Sequence, residues 1–490
     1  PTIGLEIHAE LLTKSKVFCT CSAEFGGEPN SRCCPVCSGM PGTLPVLNRT
    51  AVEYIIKAGY TMNCKISRFT KWDRKNYFYP DLPKAYQISQ MPRPVCLDGY
   101  VDINVKGAEK RIRINRIHLE EDAGKLVHDE STRSSLADYN RCGIPLIEIV
   151  TEPDFHSADD VIAFLEKIKL LLQYAGICDC KMEQGSLRCD VNISMAPRDA
   201  DKLGTRAELK NLASLKAIER AIDYEIYRQT EIIESGEQVE QETRRFNDST
   251  GETSTLRSKE DAQDYRYFPD PDIPPIVFNE EELDEIRTSL PKMPEERKEI
   301  YVKEYGIAAK DADIIISNKL ICDFYEKCLE TYNNPKSVAN FILGELMRRI
   351  NLGEADMETL PFGAKEFAEL IMLGDTDKIN KSNSKNILRE MLETGDTPQT
   401  ICDRNDYWVK EDSGAIEAVI NEIFEKNPQA VEQYRNGETK VFGFLMGQCS
   451  KQLKGACTPK VIKEELEKKL LQGVSEAAEN IAEKADGKSD

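Results

Sequence analysis

Hydrophobic positions in the first half of the chain recur at two periods. In Leu5-Glu6-Ile7-His8-Ala9-Glu10-Leu11 they alternate. Leu5, Ile7, Ala9 and Leu11 therefore face one way and Glu6, His8 and Glu10 the other, as successive side chains on a β-strand must. The same alternation sets Leu187, Cys189, Val191 and Ile193 against Arg188, Asp190, Asn192 and Ser194. It also sets Ala207 and Leu209 against Arg206, Glu208 and Lys210. Ile117-His118-Leu119 runs into three acids, Glu120, Glu121 and Asp122, at a strand-to-turn junction. Elsewhere the period lengthens. Val161, Ile162, Leu165, Ile168, Leu171 and Leu172 recur at helical spacing, and a second helix is expected over about 214–234. Turn signals stand at Pro80-Asp81, Asp98-Gly99 and Lys106-Gly107.

Beyond about residue 290 the helical period takes over. Phe341, Ile342, Leu343, Leu346 and Met347 form one broad apolar face, and further helices are expected over 415–424 and about 459–471. The run Phe268-Pro269-Asp270-Pro271-Asp272-Ile273-Pro274-Pro275 cannot be helical inside and reads as a boundary or a clamp. Pro398 and the stretch 403–414 offer a break between two helical domains. The pattern predicts an α+β protein: a strand-rich domain over 1–292 around a mixed sheet, all-helical domains over 293–404 and 405–475, and a frayed end over 476–490.

Composition agrees with a globular, multi-domain chain. The 490 residues are 40% hydrophobic and 31% charged, and no apolar run approaches the ~20 residues of a membrane-spanning helix. The opening Pro1-Thr2-Ile3-Gly4-Leu5-Glu6 lacks the basic and apolar regions of a signal peptide. It also lacks an initiator Met, so a few residues are expected upstream. A net charge of -20 argues against bulk attraction to nucleic acid, though not against a local basic surface.

The 16 cysteines are uneven, with five between Cys19 and Cys37, as expected of reduced thiols in a cytoplasmic protein. Cys19-Thr20-Cys21 followed by Cys33-Cys34-Pro35-Val36-Cys37 has the spacing of a structural, tetrathiolate Zn²⁺ site. Five thiols compete for four positions. Cys19, Cys21, Cys34 and Cys37 are favoured, because Cys34 leaves the usual two-residue spacer to Cys37.

If the alternating strands share a sheet, their carboxylates, an imidazole and several cations gather on one surface. Like charges so placed repel unless a cation lies between them, and oxygen-rich ligands with few imidazoles suit Mg²⁺. A solvated strand face would show the same alternation. No glycine-rich phosphate loop or kinase motif is present, so ATP chemistry here needs another cradle. The loop Lys71-Trp72-Asp73-Arg74-Lys75-Asn76-Tyr77-Phe78-Tyr79-Pro80-Asp81 mixes cations with aromatics, a combination that can stack on bases and hold phosphates.

Several long words are recognisable. Ile3 to Leu11, Asp73 to Asp81, Lys84-Ala85-Tyr86-Gln87-Ile88-Ser89-Gln90, Leu119 to Lys125, Gly185 to Ser194, Ala207-Glu208-Leu209-Lys210-Asn211-Leu212 and Asp264-Tyr265-Arg266-Tyr267-Phe268-Pro269 resemble the B subunit of the glutamine-dependent aspartyl/glutamyl-tRNA amidotransferases. The resemblance runs from residue 3 to about 470. It implies a cradle domain followed by helical and tail domains that hold tRNA. It also implies activation of the side-chain carboxyl of misacylated Glu-tRNA(Gln) or Asp-tRNA(Asn) with ATP and Mg²⁺. Ammonia would come from an amidase-type glutaminase partner, the A subunit, with a small C subunit tethering the two.

By motif match the Mg²⁺ ligands would be His8, Glu121 and Glu208, with Glu6, Glu10, Asp190 and Asn192 nearby. Lys75, Tyr79, Asp81, Arg188 and Lys210 would contact ATP, phosphate or carboxylate. Gly437, Lys440, Gly443, Phe444, Gly447 and Gln448 precede Lys451, Lys454 and Lys460 on a locally basic stretch expected to hold tRNA. The archaeal-type relative, the E subunit, carries a large inserted domain before its helices. Here Asp264 to Pro275 leads into helices within a few tens of residues, which favours the B type. A non-catalytic, zinc-stabilised RNA adaptor would need the cysteines and the basic loop but not the acidic strand faces.

Overall fold

The structure is a computed structural model that describes residues 1–129, 131–258, 264–409, 413–453 and 460–471. The chain divides into two compact units, Pro1–Arg297 and Lys298–Asp490.

The first unit is built on a nine-stranded sheet. In chain order its strands are β1 (Thr2–Glu10), β2 (Lys65–Ile66), β3 (Cys96–Val105), β4 (Ala108–Glu121), β5 (Pro145–Thr151), β6 (Leu187–Ser194), β7 (Ala207–Lys210), β8 (Glu242–Asn247) and β9 (Glu252–Ser258). Across the sheet they run β9-β8-β7-β6-β1-β5-β4-β3-β2, so β1 is central. Only β7 and β8 pair in parallel; the other neighbours are antiparallel, which makes the sheet mixed as expected.

Alternation decides which face is which. Ile3, Leu5, Ile7 and Ala9 are at most 1% exposed, while their even-numbered neighbours stay half-buried. Three helices cover the apolar face: α1 (Arg49–Thr61), α2 (Ala158–Tyr174) and α3 (Leu215–Glu234). Their Ile55, Phe164, Ile168, Ile218 and Ile222 join the strand residues in one core. Each such side chain removed from water stabilises the fold by roughly 1.5–3 kcal/mol. Asn48, Ser157 and Ser214 cap these helices by accepting backbone N–H groups of the first turn. The opposite face of the sheet is left to its polar side chains.

Lys106 and Gly107, with φ of 53° and 87°, form the two-residue turn joining β3 to β4. Asp98-Gly99 is not a turn. It lies inside β3, with Asp98 at φ 50° and Gly99 pressed against the end of α1. A Cβ on Gly99 would stand 2.3 Å from Cys64 Sγ and 2.7 Å from the Met62 carbonyl. The proline run is a clamp: Phe268–Pro269 pairs with Asp73–Asn76, and Ile276–Val277 with Phe69–Thr70. Arg74 ties it down through Asp270 at 2.7 Å and Asp272 at 2.8 Å.

The second unit is helical. The expected helix around 340–350 is continuous but changes winding, from α over Pro335–Phe341 to π over Ile342–Leu346 and back to α over Met347–Asn351. Pro398 opens a helix, Pro398–Asn405, as its first residue, with Thr397 as cap. Helices Ser413–Lys426, Pro428–Arg435, Val441–Gln452 and 460–471 share a separate core that includes Ile416, Ile420, Leu445, Cys449, Leu466 and Leu470. No helix among the described residues is long and apolar enough to cross a membrane.

Candidate functional site

The polar face of the sheet concentrates at β1. Register places Glu6 opposite Asp190, His8 opposite both Arg188 and Glu148, Glu148 opposite His118, and Asn192 opposite Glu208. Side chains directly opposite one another on a face approach within ~5 Å, so these residues form two adjacent nests.

In the first nest His8, Glu120 and Glu148 offer ligand atoms that all lie within 4.8 Å of one another. His8 Nε2 is 3.5 Å from Glu148 Oε2, and His118 Nε2 reaches the same oxygen at 3.5 Å and Glu120 Oε2 at 3.6 Å. Burial alone would lower the His118 pKa; the Glu148 and Glu120 carboxylates outweigh it and raise it to about 9. In the second nest Glu6, Asp190 and Glu208 converge within the same 4.8 Å. Lys210 Nζ bridges Asp190 at 2.5 Å and Glu208 at 3.0 Å, and Asn192 Nδ2 donates to Glu6 at 3.2 Å. Burial, then the Glu148 and Glu208 charges, raise the Glu6 carboxyl above its ordinary value. The first nest offers two carboxylates and an imidazole and the second three carboxylates bridged in part by Lys210, donors that a hard divalent cation can take.

A third cluster closes the end of β1. Arg188 Nη2 donates to Asp122 at 2.7 Å, and Arg141 Nε lies 3.7 Å from the same carboxylate oxygen. Glu10 joins them; burial and then Asp122 raise its carboxyl well above the usual range. Glu10 Oε1 and Arg188 Nε are buried without hydrogen-bond partners among the described residues.

His8, Glu121 and Glu208 do not meet at one point. His8 belongs to the first nest and Glu208 to the second. Glu121 turns to the other side of β4, where both its oxygens receive Lys84 Nζ, at 2.5 and 2.6 Å, and Ile88 N–H donates at 3.1 Å. Alternation explains the correction: His118 and Glu120 share a face, and the next residue leaves it. Glu148 was missed altogether, although a lone charge inside Pro145-Leu146-Ile147-Glu148-Ile149-Val150 is the signal that could have found it. Lys75 stands over the Tyr265 ring at 4.9 Å, and Glu120 and Glu148 outweigh burial to raise its pKa. Tyr79 is exposed, while Asp81, whose carbonyl accepts from Gly124 N–H at 2.8 Å, has its carboxylate near the Arg141 and Asp122 charges of the third cluster.

The thiols of Cys19, Cys21, Cys34 and Cys37 also lie within 4.8 Å of one another and can hold one metal ion. Cys34 N–H donates to Cys37 Sγ at 3.1 Å, and Lys16 Nζ lies 3.6 Å away. The Cys19 thiol, this N–H and the Lys16 charge hold Cys37 well below the usual thiol range, in the thiolate form a metal needs. In the second unit, Gly443, Phe444, Gly447, Gln448 and Lys451 form the exposed side of helix Val441–Gln452, and Lys440 is exposed just before it. Lys454 lies outside the described residues.

Residues 1–284 match the GatB/GatE catalytic domain, and residues 323–470 match the GatB domain. The chain is 55% identical to the B subunit of the aspartyl/glutamyl-tRNA(Asn/Gln) amidotransferase of Ruminiclostridium cellulolyticum, across 96% of this chain and 97% of that protein. It is 50% identical to the protein of the same name from Caldicellulosiruptor saccharolyticus, across 96% and 98%. With both the catalytic and the helical regions matched, and relatives alike over nearly their full length, this chain belongs to the B-subunit family of the aspartyl/glutamyl-tRNA amidotransferases.

Proposed function

We propose that this chain activates the side-chain carboxylate of misacylated Glu-tRNA(Gln) or Asp-tRNA(Asn) at the two acidic nests, then converts it to the amide. The observation that carries this reading is the pairing of the nests on one sheet face, flanked by Lys75, Lys210 and Arg188. A carboxylate does not accept ammonia, because its leaving oxygen is too basic. Attack of that oxygen on the γ-phosphorus of ATP releases ADP and makes an acyl phosphate. Ammonia then attacks the acyl carbon, the C–O bond to phosphate breaks, and inorganic phosphate leaves with a proton from nitrogen.

Phosphoryl transfer asks the protein mainly for position and charge neutralisation. Mg²⁺ held by His8, Glu120 and Glu148, or by Glu6, Asp190 and Glu208, would neutralise the phosphate oxygens. In this reading Lys210 and Lys75 meet phosphate or carboxylate, and Arg188 meets the acidic side chain. Ammonia is taken to come from the glutaminase of the assembly, its A subunit, with the small C subunit completing the complex. The cysteine knot holds structural zinc, and the exposed stripe ending at Lys451 meets the tRNA backbone.

Glu148→Gln and Glu208→Gln, each in the assembled amidotransferase, should lower ATP hydrolysis dependent on misacylated tRNA about a hundredfold or more, since lost charge neutralisation costs several kcal/mol at the transition state. Wild-type amidation by either variant at normal Mg²⁺ would remove the assigned site.

A further inference from the structure

One lysine of the first unit lies where lysine is seldom found. Lys16 is 0% exposed, although Lys14, two residues earlier, stands in solvent. A fully buried ammonium is costly unless an anion and hydrogen-bond acceptors receive it. No carboxylate among the described residues pairs with it; Glu121, across Gly143, is taken by Lys84. The Lys16 ammonium donates instead to Cys37 Sγ at 3.6 Å and to the Tyr139 carbonyl at 3.2 Å. The anion that justifies its burial is therefore a thiolate of the cysteine knot.

The fold delivers this lysine together with the first two ligands. Lys16 N–H donates to the Cys21 carbonyl at 3.0 Å, and Ser15 bridges Ser22, so 15–22 closes as a small ribbon that carries Lys16, Cys19 and Cys21. The second pair arrives on a turn, where Cys34 N–H donates to Cys37 Sγ at 3.1 Å. Behind the lysine stands the segment 139–143. Its Tyr139 carbonyl also accepts from Cys142 N–H at 3.1 Å, and Cys142 Sγ donates to the Cys37 carbonyl at 3.2 Å. Gly143 N–H donates to the Asp122 carbonyl at 2.9 Å. Lys16 thus sits at the seam between the knot and the end of β4.

Charge gives the lysine a task. Four thiolates around a divalent ion leave two negative charges uncompensated. Cys37 is 4% exposed while the other three ligands are half-buried, so water screens its share of the excess least. An uncompensated thiolate is a good nucleophile, and it leaves the ion when a proton or an alkyl group takes its electron pair. A cation donating to the same sulfur opposes both and removes half of the excess.

We propose that Lys16 is a positioning residue of the cysteine knot: its ammonium fixes the Cys37 sulfur and offsets the charge of the filled site, which slows loss of the metal and shields Cys37 from electrophiles. This role presupposes the zinc assigned to the knot above and adds what keeps it there. The Tyr139 carbonyl holds the other side of the ammonium, so the same side chain fastens the knot to the segment that runs into β5.

The test uses the assembled amidotransferase loaded with zinc. Transfer of the metal to a coloured chelator is timed in the wild type, in Lys16→Met, which keeps the length without the charge, and in Lys16→Arg, which keeps the charge. Lys16→Met should release zinc about tenfold faster, the size of effect that partners behind metal ligands have. Iodoacetamide should also label Cys37 sooner in Lys16→Met than in the wild type. Lys16→Arg should hold zinc longer than Lys16→Met. A lysine present for packing alone would give the reverse order, since Met fits the space and Arg overfills it. That order, or equal release from Lys16→Met and the wild type, would overturn the role. Lys16→Gln carries the same comparison if Lys16→Met does not fold: release again faster than wild type supports the role, and equal release overturns it. A wild-type complex that holds no zinc would instead remove the metal from the knot, the assignment on which this role stands.

Discussion

Cys34 brings its sulfur to the other three thiols of the knot, whereas Cys33, one residue earlier, donates to the Asn30 carbonyl at 3.2 Å. A metal at the knot therefore draws on one and not the other. Cys34→Ser should abolish zinc binding measured by elemental analysis of the purified chain, while Cys33→Ser should retain about one ion per chain. Equal loss from both would show that the pair exchanges places. Glu120 and Glu121 divide in the same manner, the first toward His8 and the second toward Lys84. That division was legible, since Ile117 and Leu119 already mark the apolar side of the strand and Glu121 follows them. What hid it was the run of three acids, which looks uniform unless the alternation is carried to the strand's end. Spacing favoured Cys34 over Cys33, because Cys34 leaves two residues to Cys37, and Cys34 is the one whose sulfur lies with the other three.

At the scale of elements, β1, β6 and β7 announced themselves by strict alternation, and α2 by helical spacing. The order of strands across the sheet was not legible, because pairing partners far apart in sequence leave no periodic trace. Glu148 shows the consequence. Its strand is almost wholly apolar, and only β5 lying beside β1 gives its one carboxylate a purpose. Asp98-Gly99 shows the opposite failure, where local turn chemistry is overruled by tertiary packing. The glycine there serves close approach rather than reversal, with Cys64 Sγ and the Met62 carbonyl filling the place of a side chain. Gly99→Ala should accordingly lower the urea midpoint by the equivalent of about 3 kcal/mol, as overpacking against buried backbone does. Gly107→Ala sits in open space at φ 87° and should cost about 1 kcal/mol, the left-handed penalty alone. Equal midpoints for the two variants would mean that β3 moves away from α1 without strain.

At the scale of the whole molecule, a net charge of -20 has to coexist with a polyanionic substrate. Long-range attraction cannot supply that affinity, so contact must be made where the charge is locally reversed. The exposed side of helix Val441–Gln452 is such a place: glycines at 443 and 447 leave the backbone bare, and Lys440 and Lys451 are exposed near its two ends. Its helices pack around a core of their own, so changes to this surface need not disturb the sheet that carries the nests. If Lys440 and Lys451 each neutralise one phosphate, each contact releases counterions and contributes about 0.7–0.9 to the slope of log affinity against log salt. The double variant Lys440→Glu/Lys451→Glu should therefore bind tRNA at least about tenfold more weakly at low salt, with a slope shallower by roughly 1.5. At saturating tRNA the amidation rate should stay near wild type, because neither lysine takes part in the chemistry. An unchanged salt slope would place the tRNA body on another surface and leave this stripe as a solvated helix face.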